Sequence, residues 1–593
     1  MKKTTFFSAL LLFIAVIVPH NASAYDFKVG SIYYYITGDG TVSVTYKDNN
    51  YNSYSGSINI PANVTYNGTT YRVTEIGSSA FRACTDLVAV NIPNTVTNIG
   101  YASFYNSRAL TDVNIPNSVT YIDTFAFLQC TGLTEITIPG SVAYTAGQVF
   151  QNCTGLKHVY LSEGLLGMSA GLFMGCTSLE SIVIPNTVTD IYLYVFSGCT
   201  SLTDVTIPSS VTYLDSDAFE GTPWLDNQPD GLMYAGNIAY RYIGTMPSGT
   251  TISLREGTVA IASYLFTDQD GLVGINIPAS VTHVWGSCFA NCQNLSSIKV
   301  ASGNTTFDSR NNCNAVIETA TNKLVAGCNV TKIPTSVTDI GPYAFTYCNG
   351  LTSIQLNNNI QSIGNYAFSY CSNLPSVEIP ASVTSIGEAA FAGCDKLASM
   401  EVASGNTTYD SREGCNAIIE TATNTLISGC PRTFIPESVT AIGYSAFYWQ
   451  YQMSSITIPA TVTQIKGMAF YNMNDLTTIV CEATTPPEID GSTFDPATRA
   501  RAIVYVPRDA INTYLSTDVW NWFGDMQFRP IDELVNGDVD GNGSVSIGDV
   551  TALIDYLLNN HSSGMVMYNA DCDKDKKITI GDISHLIDML LNN

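Results

Sequence analysis

Two twelve-residue stretches near the C-terminal end hold the densest chemistry in the sequence. In DVDGNGSVSIGD, side-chain oxygens fall at the first, third, fifth, ninth and twelfth places as Asp538, Asp540, Asn542, Ser546 and Asp549, with the Ser544 carbonyl at the seventh. Gly543, at the sixth place, supplies the sharp turn such a loop needs. Thirty-three residues further on, DCDKDKKITIGD repeats the arrangement with Asp571, Asp573, Asp575, Thr579 and Asp582 and the Lys577 carbonyl. Calcium is a hard cation that takes roughly six to eight oxygens, and this alternating spacing aims them at one centre. Each loop is therefore expected to bind one Ca2+, two ions in all. In the second loop Lys576 replaces the turn glycine and Cys572 enters, which predicts weaker binding there.

Each loop runs into one of two near-duplicate apolar segments, VTALIDYLLNN and ISHLIDMLLNN, whose spacing suits a helix with one buried face. Upstream lies a repeat. Phenylalanines recur every 23 residues at 81, 104, 127, 150, 173, 196 and 219, then at 266, 289, 345, 368, 391, 447 and 470, with gaps of 47, 56 or 23. The unit reads L-x-x-I-x-I-P-x-x-V-T-x-I-x-x-x-x-F-x-x-C, as in Leu133, Ile136, Ile138, Pro139, Val142, Phe150 and Cys153. L-x-x-I-x-I has the period-2 face of a short strand, and the proline stands where the ladder stops. One strand per turn is expected, with short turns and loops on the convex side. A turn cannot bury its apolar face alone, so neighbours must stack. The expected fold is a β-rich leucine-rich-repeat solenoid, a parallel sheet built from turns of about 23 residues, followed by a small C-terminal α-helical EF-hand-type calcium module. Thr134, Thr137, Thr203, Thr206, Ser454 and Thr457 fall on the outward side of its strands and predict a flat, polar, exposed face.

Cysteines follow the repeat phenylalanine by three residues at nine places, from Cys84 to Cys394, and are read as buried thiols acting as small hydrophobes. Two insertions, at 301–328 and 403–430, are nearly identical in sequence. Each reads as two short strands around a polar turn. A symmetric hairpin centred between Ala422 and Thr423 sets Cys415 opposite Cys430, and likewise Cys313 opposite Cys328, leaving open a disulfide or two packed thiols in each. A third interruption, from Thr222 to about Thr250, also reads as a hairpin. Trp520, Trp522 and Phe523 are expected to pack the core of a terminal cap, with sugar binding as the alternative.

Residues 1–24 combine Lys2 and Lys3, an apolar run and the site Ala22-Ser23-Ala24, the pattern of a cleaved secretory signal peptide. The remaining boundaries are read as a β cap at 25–75, the solenoid with its hairpin insertions at 76–480, a C-terminal cap at 481–532 and the calcium module at 533–593. The formal net charge of −25 becomes −27 once Lys2 and Lys3 leave, which disfavours nucleic acid and anionic lipid. No later stretch reads as a membrane span, so no membrane insertion is expected. His158, His283, His561 and His585 are scattered, and no nucleophile motif, phosphate-binding glycine loop or zinc spacing accompanies them, so no catalysis is expected.

The repeated V-T-x-I-G-x-x-A-F-x-x-C core, clean from Val383 to Cys394, resembles that of the BspA-like leucine-rich-repeat surface proteins of bacteria, over residues 25 to 532. The duplicated unit at 537–593 resembles a type I dockerin. That second resemblance implies that two calcium ions hold the helices together and that the folded pair binds a cohesin-like domain on another protein. It also implies a recognition pair at loop places ten and eleven, here Ile547-Gly548 and Ile580-Gly581, which departs from the hydroxylated pair of many dockerins. Together the resemblances imply a secreted, cell-surface-associated protein whose solenoid adheres to host or bacterial surface proteins. The alternative is a non-catalytic glycan-binding subunit of a polysaccharide-degrading assembly.

Overall fold

The computed structural model describes residues 24–47, 51–559, 561–575 and 577–592. The signal sequence lies outside the described residues apart from Ala24, and so does Lys576. The chain divides into two compact units, residues 1–210 with 217–227, and residues 211–216 with 228–593.

The first unit begins with antiparallel strands Phe27–Val29, Ile32–Gly38 and Thr41–Thr45. The last of these pairs in parallel with Thr69–Ile76, and from there the chain coils. The pre-proline strands pair one repeat apart, Glu135–Ile138 with His158–Leu161 and Ser181–Val183 with Asp204–Thr206, so Ile136 faces Val159 and Ile182 faces Val205. A second ladder was not foreseen. The V-T-x-I segment forms its own two-residue strands, Asn98–Ile99 on Tyr121–Ile122 and Gly167–Met168 on Asp190–Ile191, giving two strands per coil instead of one. At the V-T step the threonine donates its N–H to the threonine one coil back, Thr97 to Thr74 and Thr120 to Thr97, both at 2.9 Å.

Between the ladders each Phe ring stacks on the next. Centroid separations run from 4.8 Å for Phe104–Phe127 to 5.8 Å for Phe173–Phe196. The second unit repeats the stack at Phe345, Phe368 and Phe391, with separations of 5.1 and 5.4 Å. It also runs one rung past the last repeat read from the sequence, to Phe494, 5.2 Å from Phe470. In most coils the residues two places either side of the stacked ring take left-handed backbone, as in Tyr343 (φ 58°) and Tyr347 (φ 56°) around Phe345. That conformation costs a non-glycine residue about 1–2 kcal/mol. It turns alternate N–H groups toward the next coil, where Tyr343, Phe345 and Tyr347 donate to the carbonyls of Asn365, Ala367 and Ser369 at 3.0, 2.8 and 2.8 Å.

All sixteen cysteines are buried thiols. Along the repeat seven of them donate to the Phe carbonyl 26 residues back, among them Cys130 to Phe104 at 3.0 Å and Cys153 to Phe127 at 3.1 Å, whereas Cys84 donates to the Tyr51 carbonyl. Burial pushes the Cys153 thiol up to about 12. The insertions form the expected hairpins, Val316–Glu318 with Lys323–Ala326 and Ala417–Glu420 with Thr425–Gly429. The symmetric register holds only at the turn. A bulge between Ile418 and Ile419 shifts the outer part so that Ala417 faces Gly429, which takes Cys415 and Cys430 out of opposition. Cys415 packs in the core of the following coils and Cys430 in that of the preceding ones, and Cys313 and Cys328 are separated in the same way. The return strands then join the parallel ladder, on Asp339–Ile340 and Ala441–Ile442.

Where each return strand crosses the aromatic stack, the chain has glycine. A Cβ on Gly429 would lie 2.2 Å from the Phe447 ring, and one on Gly327 would lie 2.2 Å from Phe345. Gly429→Ala is therefore expected to lower stability by about 1–3 kcal/mol, read as a lower urea midpoint. The segment 222–250 holds a helix α1 (Pro223–Asp226) and a hairpin of Gly231–Ala235 with Ile238–Ile243.

After Ser455–Ile458 and Thr478–Cys481, the parallel ladder continues through Ile503–Val506 and Phe528–Pro530. Helices α2 (Pro496–Arg501) and α3 (Ile511–Ser516) flank these strands. Trp520 and Phe523 are buried in that core, and the Trp520 indole donates to the Pro487 carbonyl at 2.8 Å. Trp522 is exposed, with the Arg499 guanidinium 4.8 Å from its ring centre. Three helices complete the chain, α4 (Ile547–Asn559), α5 (Met567–Ala570) and α6 (Ile580–Asn592).

Candidate calcium module

The module has its own apolar core, in which Val539, Val550, Leu553, Tyr556, Ala570, Cys572 and Leu586 are buried together. Cys572 takes the place that Val539 has in the first loop. Both side chains point into this core, so the cysteine leaves the ring of oxygens undisturbed. Lys574 (φ 62°) stands where the first loop has Gly541 (φ 69°), and its ammonium donates to the Tyr568 carbonyl at 2.9 Å.

The two loops bring their acids together in the same way. Carboxylate oxygens of Asp538, Asp540 and Asp549 lie within 4.8 Å of one another, as do those of Asp571, Asp573 and Asp582. Asp549 and Asp582, the last ligands of each loop and early residues of α4 and α6, are fully buried. Asp549 is oriented by N–H donors from Asp540 (3.0 Å) and Ser546 (2.8 Å). Asp582 is oriented by those of Cys572 and Thr579, both at 2.8 Å. Asn542 donates to Asp540 at 2.8 Å, and Asp575 accepts from the Lys577 N–H at 2.8 Å, which places the fifth residue of each loop beside the third and seventh.

The donor set fits a hard divalent cation. The clustered ligand atoms are carboxylate oxygens, and Asp538 Oδ1 is buried with no hydrogen-bond donor among the described residues. Burial, then the neighbouring Asp549 and Asp540 carboxylates, raise the Asp538 carboxyl above its ordinary value. A cation between these acids would remove that repulsion. When bound, calcium would supply a cross-link between each loop and the helix that follows it.

The predicted recognition pairs open the two long helices and stand in solvent, with Ile547 73 % and Ile580 75 % exposed beside exposed Gly548 and Gly581. Sequence reading missed that these isoleucines belong to larger apolar faces. Ile554 and Leu558 on α4, and Ile587 and Leu591 on α6, follow at the same offsets of seven and eleven residues and are also exposed. The signal was present in the duplication, since each helix carries apolar residues on two faces and only one can turn to the module's core.

Comparison with known proteins places both halves. The BspA type leucine rich repeat region matches in six copies within residues 50–176, 166–228, 244–323, 318–424 and 428–509. The dockerin type I domain matches residues 536–591. Among solved structures, a leucine-rich repeat protein from Bacteroides ovatus is 23% identical, covering 77% of this chain and 94% of its own, with a TM-score of 0.32. A leucine rich cell surface protein from Faecalibacterium prausnitzii is 24% identical over 82% of this chain and 96% of its own, with a TM-score of 0.26. A leucine-rich repeat protein from Eubacterium ventriosum is 17% identical over 79% and 93%, with a TM-score of 0.31. No curated protein matches the chain. Solenoid repeats and dockerins are both non-catalytic domain types, and among the described residues no helix is long and apolar enough to cross a membrane.

Proposed function

The chain belongs to the BspA type leucine-rich-repeat family, and from that starting point we propose that it is a secreted, non-catalytic binding protein of the cell surface. Its solenoid, closed by caps at 25–75 and 481–532, adheres to a protein ligand. Its dockerin attaches the chain to a cohesin-like domain when both loops hold calcium. The ligands are Asp538, Asp540, Asn542, the Ser544 carbonyl, Ser546 and Asp549 in one loop, and Asp571, Asp573, Asp575, the Lys577 carbonyl, Thr579 and Asp582 in the other.

One observation carries this reading: two acidic loops of matching geometry are each coupled to a helix that presents the same exposed apolar triplet, Ile547, Ile554 and Leu558 or Ile580, Ile587 and Leu591. Exposed leucine and isoleucine at matching places on two helices form a surface suited to a protein partner. Ile547→Asp combined with Ile580→Asp is expected to weaken capture of the full chain by cohesin domains about a hundredfold or more, with calcium binding retained. Binding that persists in the double variant would move the recognition surface elsewhere.

The second reading, a glycan-binding subunit of a polysaccharide-degrading assembly, draws support from the tyrosines beside the Phe stack. Tyr343 and Tyr366 are stacked 5.2 Å apart, and Tyr444, in the coil of Phe447, is exposed. Aromatic side chains with hydroxyl edges suit sugar rings. Glycan arrays run beside immobilised surface proteins separate the two readings.

A further inference from the structure

The polar strand face predicted from the sequence is open in most coils and closed near its end. Thr134, Thr137, Thr203 and Thr206 are exposed as expected, whereas Ser454 is 1 % exposed. The next residue, Ser455, is buried too, although the matching positions Glu135, His158, Ser181, Asp204 and Ser376 are exposed. The dockerin covers it. The Ser454 hydroxyl is shared between the carbonyls of Met565 (2.9 Å) and Ser562, and the Ser562 hydroxyl donates in turn to the Gln452 carbonyl. The Met567 N–H, at the start of α5, donates to Ser455 Oγ at 2.8 Å.

A second group of contacts grips α4. The Arg432 guanidinium donates to the carbonyls of Tyr556 (3.0 Å) and Leu557 (3.3 Å) and lies 5.2 Å from the centre of the Tyr556 ring. These carbonyls belong to the last turn of the helix, whose orphan acceptors and negative dipole end favour a cation. Tyr556 is itself buried. The apolar triplets on α4 and α6 point elsewhere and stay exposed, so this seat and the proposed partner surface use different sides of the module.

Both gripped elements adjoin a loop of clustered acids. The helix α4 starts inside the first loop at Ile547, and α5 ends at Ala570, one residue before Asp571. We propose that the dockerin is seated on the end of its own solenoid, on Arg432, Ser454 and Ser455, and that calcium in its loops holds it there. Attachment through the dockerin then presents the solenoid in one fixed direction, and removal of calcium frees the module and uncovers the strand face. The calcium dependence rests on the function proposed above, whereas the seat rests on the contacts alone.

Thiol labelling of the full chain tests this, because the native cysteines are all buried. In Ser455→Cys the new thiol lies beneath the dockerin, and in Ser376→Cys it lies on the open part of the same face. With calcium, maleimide should label position 455 about tenfold or more slowly than position 376, and chelation should bring the two rates together. Arg432→Glu, added to Ser455→Cys, should speed labelling with calcium still present. Equal rates at 455 and 376 with calcium would overturn the seat. Slow labelling at 455 that survives chelation would overturn its calcium control. Calorimetric titration of calcium into the same chain separates this failure from that of the calcium reading, since ions that bind without altering the rate at 455 count against the control alone.

Discussion

Asp549→Ala should remove calcium from the first loop and leave the second loaded, so that titration of the full chain counts one ion instead of two. The carboxylate is fully buried, receives the Asp540 and Ser546 N–H groups, and stands at the first turn of α4. It therefore joins three things, the loop backbone, the proposed ion and the helix. Mutating a residue that merely orients a metal ligand typically costs about 10–100-fold in affinity. Removing a ligand from the last loop place should cost more than that, and α4 should lose helicity, read by circular dichroism as a smaller calcium-driven gain. Asp582→Ala should do the same to the second loop. A titration still counting two ions in Asp549→Ala would show that Asp538, Asp540 and Asn542, at the first, third and fifth places, hold the metal without it.

Phe368→Ala should be the most destabilising of the core substitutions in the second unit. Its ring is fully buried between Phe345 and Phe391, at 5.1 and 5.4 Å, and is nearly parallel to both. Emptying a site of that size costs about 3–5 kcal/mol, and the stacked contacts on either side are lost as well. The damage should travel, because a solenoid coil is stabilised only by its neighbours. Hydrogen exchange should accelerate in the coils of Phe345 and Phe391 first, while the module at 533–593 keeps its calcium. An unfolding midpoint unchanged by Phe368→Ala would mean that the ladder strands alone hold these coils.

The repeat made most of the fold legible, since a period of 23 with one proline and one phenylalanine per turn leaves few ways to stack. What it hid is equally specific. The second strand ladder spans only two residues per coil, too short for its alternation to register against the stronger pre-proline strand. The bulge at Ile418 and Ile419 shifts register without any glycine or proline to mark it, and that one residue separated Cys415 from Cys430. Phe494 escapes the period because it lies 24 residues after Phe470, not 23. At the candidate site, the loop acids were readable because coordination dictates their spacing. The role of Cys572 was not, since its burial depends on a core assembled from both halves of the duplication. The seat on Arg432 and Ser454 joins residues more than a hundred positions apart, and no local pattern announces such a contact.

The thiol ladder makes the architecture indifferent to oxidation state. A protein braced by disulfides must be oxidised after synthesis and is weakened when a reductant reaches its bridges. Here the sulfurs serve as packing and as weak donors to carbonyls, and burial holds those such as Cys153 far from the thiolate form that oxidants attack. With these thiols bridging nothing, an anaerobic, thiol-rich environment and an aerated one should leave the fold equally firm.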